Sequence, residues 1–87
     1  MLTDTERQAL LFLSDPPAGY TATEVGEALW GRQHRMRQHF ARPAGRVLHH
    51  LKARGLAVDS WVLSLGGGRR EWRVTPEGHL VLRGVAR

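Results

Sequence analysis

Apolar residues recur at two different periods along this chain, and the change between them divides it. Up to Leu56 they are spaced by three and four, as on helix faces; from Val58 to Val74 they lean toward alternation, as in strands. Thr3-Asp4-Thr5-Glu6 opens a first helix over about 3–14, with a hydroxyl or carboxylate cap and an acid in its first turn. Its stripe is Ala9, Leu10, Phe12 and Leu13, and Pro16-Pro17-Ala18-Gly19 ends it because neither proline extends the hydrogen-bond ladder. A second helix spans about 23–30, capped by Thr21 or Thr23, with Glu24 and Glu27 near its positive end. Val25, Ala28 and Leu29 form its buried stripe and Trp30-Gly31 closes it. A third helix covers about 43–54. Pro43 suits its first turn, and Ala44, Val47, Leu48 and Leu51 mark its inward face. Gly55 fits the left-handed cap and Leu56 packs back on the last turn.

Beyond Leu56 the strand period predicts a β-hairpin over about 57–74, with Val58, Trp61-Val62-Leu63 and Leu65 before the turn and Trp72 and Val74 after it. Gly66-Gly67-Gly68-Arg69-Arg70 reads as the turn, with the two arginines at its tip. Thr75-Pro76-Glu77-Gly78 then starts a short last helix over about 76–84, carrying Leu80, Val81 and Leu82. Between the second and third helices, residues 31–42 have weak periodicity and much charge. They read as an inserted basic segment with room for a helical turn around Met36–Phe40.

Eighty-seven residues make a single domain over 1–87. A chain this short buries about 60–65% of the surface it exposes when unfolded, so one core must suffice. Cysteine is absent, which removes disulfides and thiolate metal sites. The apolar runs are too short for a membrane helix or a signal peptide, so a cytoplasmic location is expected. The net charge of +5 is unevenly spread. Residues 1–30 hold five acids (Asp4, Glu6, Asp15, Glu24, Glu27) against Arg7. Residues 31–54 hold Arg32, Arg35, Arg37, Arg42, Arg46, Lys52 and Arg54, four of the five histidines, and no acid. Such a block is a candidate polyanion surface; the competing reading is a solvated helix face.

Three helices followed by a hairpin with a basic tip resemble a winged helix-turn-helix, an α+β fold of three helices, a two-stranded wing and a short C-terminal helix. Thr21 to Leu29 looks like the capped second helix of that family. Leu48, Leu51, Gly55 and Leu56 match the pattern of its recognition helix and exit, and Trp72-Arg73-Val74-Thr75-Pro76-Glu77-Gly78 looks like the second wing strand running into the next helix. In this order the motifs resemble small prokaryotic regulators of the multiple-antibiotic-resistance (MarR), PadR and arsenic-repressor type. The chain departs from them by the nine residues Arg32 to Phe40, which lengthen a turn that is usually short. It also lacks the extra helices on which such repressors dimerise and bind effectors, so the expectation is a bare DNA-binding module with no effector pocket.

The resemblance implies double-stranded DNA as partner, a role in transcription regulation, and a location at the nucleoid. Arginine is the best bidentate partner for guanine in the major groove. Arg42, Arg46, His49 and His50 are therefore the expected recognition-helix contacts, Arg69 and Arg70 the wing contacts, and Arg32, Arg35 and Arg37 phosphate contacts from the inserted segment. Leu2, Phe12, Leu80, Leu82 and Val85 could form a homodimer face between first and last helices. Among the aromatics, Trp30 and one of Trp61 and Trp72 belong in the core, and Trp61 could pack across the hairpin from Trp72. An exposed tryptophan on the wing would point instead to single-strand or protein binding. His34, His39, His49 and His50 lack the spacing of a zinc site, and Ser14, Ser60 and Ser64 have no nucleophile elbow or partner dyad, so no cofactor, metal or catalysis is expected. The alternatives are a winged-helix protein-interaction module and an RNA or single-strand binder.

Overall fold

A computed structural model of the chain describes residues 2–15, 19–31 and 41–84. The expected inserted segment, apart from Gly31, Ala41 and Arg42, therefore lies outside the described residues, with Arg32, Arg35, Arg37, His34 and Met36–Phe40; so does Val85. The elements are α1 (Asp4–Ser14), α2 (Ala22–Trp30), α3 (Ala41–Ala53), β1 (Ala57–Ser64), β2 (Gly67–Val74) and α4 (Pro76–Leu82).

Two capping boxes start the first two helices. Thr3 accepts from the Glu6 amide while Glu6 accepts from the Thr3 amide, and Thr21 and Glu24 repeat the exchange, which selects Thr21 over Thr23 as the cap. The stripe of α2 is Val25 and Gly26 with Leu29 half-buried; Ala28 is exposed, contrary to its expected place in that stripe. Ala41 and Arg42 belong to α3 rather than to the segment before it, which leaves Pro43 in the first turn. α3 ends in a Schellman motif: the Gly55 amide donates to Lys52 O and the Leu56 amide to Leu51 O, with Gly55 at φ +78°.

One core holds the elements together. Ala9, Leu10 and Leu13 of α1 meet Val25 of α2, Ala44, Leu48 and Leu51 of α3, and Leu56, Ala57 and Trp72. Burial of each large aliphatic side chain here contributes about 1.5–3 kcal/mol. Leu2, Phe12 and Leu82 pack partly against this same core, which leaves Leu80 as the exposed member of the expected dimer face among the described residues.

β1 and β2 form an antiparallel hairpin from Ala57↔Val74 out to Ser64↔Gly67. The turn is thus Leu65-Gly66, not Gly66 to Arg70, and Arg69 and Arg70 stand within β2 opposite Val62 and Trp61. Trp72 faces Asp59 across the hairpin, so the expected Trp61–Trp72 pairing gives way to Trp61↔Arg70. Tyr20 adds a single bridge on the free edge of β2, exchanging hydrogen bonds with Trp72 (3.0 and 2.6 Å). Behind the hairpin, Thr75 caps α4, accepting from the Gly78 amide (3.0 Å) and donating to Gly55 O (2.7 Å).

Candidate nucleic-acid interface

Helical periodicity places the charge of α3. Ala44, Leu48 and Leu51 are fully buried, and Arg42, Arg46, His49, His50 and Ala53 are exposed on the opposite side. At 100° per residue these five positions fall within an arc of about 100°. The stripe contains no carboxylate, and Arg42, Arg46 and His50 have no ion-pair partner among the described residues. His49 is placed differently from its neighbours: its ring stands edge-on to Trp72, with centroids 5.1 Å apart and planes at 87°.

The remaining cations of this helix and its exit are tied to acids. Lys52 Nζ lies 2.7 Å from Asp59 Oδ1 on β1, and Arg54 reaches Glu6 of α1 at 3.4 Å. Among the described residues of the basic block, the α3 stripe carries the unpaired cations, whereas Lys52 and Arg54 clamp α3 to the hairpin and to α1.

Successive side chains of a strand alternate between faces, which sorts the wing. One face carries Ala57, Asp59, Trp61 and Leu63, with Val74, Trp72, Arg70 and Gly68 across from them. The inner end of this face enters the core through Ala57 and Trp72, and α3 meets it through Lys52 and His49. Its outer end is exposed, Trp61 by 64% and Leu63 by 80%. The other face carries Val58, Ser60 and Val62 with Arg73, Glu71 and Arg69.

Both expected wing arginines are paired. Arg70 Nε is 3.3 Å from Asp59 Oδ2, and Arg69 Nε is 2.7 Å from Oε2 of Glu71, itself a buried carboxylate. Asp59 thus sits between Lys52 of the third helix and Arg70 of the wing. The hydrogen bond from Lys52 holds its carboxyl below the ordinary value, aided by the charges of Lys52 and Arg70 and opposed by desolvation. Neither Asp59 nor Glu71 stood out in the sequence: Asp59 meets Arg70 through the strand register, and Glu71 meets Arg69 because both take the same side of β2.

Among the described residues no group of histidines, aspartates and glutamates is disposed to hold a metal ion, and no helix is long and apolar enough to cross a membrane. An open depression on α4 is lined by Pro76, His79, Leu80 and Arg83.

No family model matches this sequence, and no curated protein matches it. Solved structures do. A PadR family transcription regulator from hypervirulent Clostridium difficile R20291 superimposes with a TM-score of 0.69 over 93% of this chain and 81% of that one, at 17% identity. A PadR family transcriptional regulator from Eggerthella lenta DSM 2243 gives a TM-score of 0.62 over 88% of this chain and 66% of its own, at 23% identity. The likeness is one of fold: the chain is an α+β winged helix, with α2 and α3 as the helix-turn-helix pair and β1–β2 as the wing.

Proposed function

We propose that this chain binds double-stranded DNA through α3 and the wing, as a small transcription regulator acting at the nucleoid in the cytoplasm. The observation that carries this reading is the α3 stripe. Arg42, Arg46 and His50 lie outward on one face with no ion-pair partner among the described residues, an arrangement whose self-repulsion a polyanion relieves. A helix laid in the major groove presents such a stripe to base edges and phosphates. The two PadR family structures named above are transcription regulators, which supports the same role here. His49 meets the groove with its ring edge-on to Trp72. Arg69 and Arg70 reach phosphates only by leaving Glu71 and Asp59, and Arg32, Arg35 and Arg37, outside the described residues, are assigned to phosphate contacts from their charge alone. No bound cofactor and no catalysis are required.

Fluorescence anisotropy with a labelled random duplex, titrated from about 50 to about 300 mM salt, tests the reading. The expected result is micromolar or tighter binding with a log–log salt slope of about −4 to −8. Arg42→Ala/Arg46→Ala should weaken binding strongly, and Arg69→Ala/Arg70→Ala less so, because that pair already has protein partners. Absence of binding at the low-salt end would overturn duplex recognition and favour a winged helix used for protein contact.

A further inference from the structure

We infer that Trp61, seated over Gly68 of the opposing strand, is a stacking platform for one unpaired nucleobase at the edge of the duplex bound by α3. Trp72 is the tryptophan of the core, at 2% exposure, and Trp30 packs partly against that core; Trp61 is 64% exposed and fills no interior space. It is nevertheless held. A Cβ placed on Gly68 would overlap Nε1, Cε2 and Cζ2 of the indole, so the ring occupies the space that only a glycine leaves open. The ring thus rests against β2 at Gly68, with most of the residue left to solvent. A ring that already rests on the strand has less rotamer freedom to lose, so stacking costs less when a ligand arrives.

The surroundings select the occupant. Arg70 stands directly across from Trp61 on the same wing face and shares Asp59 with Lys52, so two cations against one carboxylate leave a net positive charge beside the ring on the side nearest α3. A base between phosphates asks for this combination, a free π-face with positive charge beside it. Apolar exposure at this end of the wing is a short strip of Trp61, Leu63 and Leu65, with cations beside it rather than further apolar surface. Bases inside a duplex already have neighbours on both faces, so the base taken up is unpaired. The inner end of this wing face packs on α3, so a duplex lying on the α3 stripe delivers its frayed end or a melted step to the same side. The inference rests on nucleic-acid binding as proposed above and adds a single-strand subsite to it.

Three labelled ligands test it: a blunt duplex, the same duplex with a short oligo-dT overhang, and oligo-dT alone. The overhang should raise affinity by about fivefold or more, and oligo-dT should quench tryptophan emission. Trp61→Ala should abolish the overhang gain and the quenching while leaving blunt-duplex affinity unchanged. Trp61→Phe should restore much of the gain, and Gly68→Ala, which displaces the indole, should reproduce the loss with Trp61 still present. Equal affinity for blunt and overhanging duplexes, or a gain that survives Trp61→Ala, would overturn the inference. So would a protein-only blue shift of Trp61 emission on concentration, which would show a second copy covering the ring. Oligo-dT binding lost in Trp61→Ala, with no blunt-duplex binding in the parent protein, would support the subsite and sink duplex recognition alone.

Discussion

Asp59 lies where the two proposed reading elements meet. It accepts from Lys52 at 2.7 Å and lies 3.3 Å from Arg70, so one carboxylate withdraws two cations from the surface. Lys52 and Arg70 are about half exposed, and pairs in such positions are worth at most about 1 kcal/mol. Removing the carboxylate should therefore cost little stability and free both cations. Asp59→Asn is expected to tighten duplex binding several-fold and to steepen the salt slope by about one to two units, measured by anisotropy. The pH dependence has a defined sign. Because the folded-state pKa is lowered, the contribution of Asp59 stands above the unfolded value of about 3.9 and is lost as the pH falls through the lower folded value. Urea midpoints of the parent protein and Asp59→Asn should differ slightly near neutrality and converge as the pH drops below about 4. Nothing in the sequence marks Asp59 as special. Arg69 and Arg70 are visible as charges, but their partners follow from the register and from which side of the pleat each residue takes.

At the scale of elements, Thr75 performs two tasks with one hydroxyl: it caps α4 through the Gly78 amide and donates to Gly55 O at the exit of α3. Thr75→Ala should cost about 1–2 kcal/mol in urea unfolding with an unchanged slope. Thr75→Ser, which keeps both bonds, should stay near the parent value. This cap was readable from Thr75-Pro76-Glu77, and α1 and α3 were readable from their stripes, because local hydrogen bonding and a period of 3.6 leave marks in sequence. The hairpin was readable as an element but its turn was not. Three consecutive glycines suggest a turn by composition, yet burial of Ala57 and Trp72 at the inner end fixes the register, and the strands then run out at Leu65-Gly66. Gly68 serves instead as the seat of Trp61. The Tyr20 bridge to Trp72 left no pattern, since a single bridged residue has no period. For the same reason the choice between Trp61 and Trp72 stayed open: both lie on one wing face, and only distance from the core separates them.

Across the whole molecule the charge is polarised, and location rather than total should govern binding. The first thirty residues carry five of the eight acids, four of them on α1 and α2, whose buried faces meet the core from the side opposite the α3 stripe. Arg7 is an exposed base on α1, and Arg46 an exposed base on α3. Replacing either by alanine takes the formal net charge from +5 to +4, so the two variants are identical in total and differ only in place. If net charge alone drew the protein to a polyanion, both would weaken duplex binding equally. Local contact predicts otherwise. Each phosphate neutralised contributes about 0.9 to the log–log salt slope, so Arg46→Ala should flatten the slope by about that amount if it meets phosphate. If Arg46 meets a base edge instead, Arg46→Ala should lose discrimination between sequences with the slope kept. Arg7→Ala should leave slope, affinity and discrimination unchanged. Anisotropy titrations of the two variants side by side, at several salt concentrations, separate these cases, and equal losses in both would show that the α3 stripe is not the surface that DNA contacts.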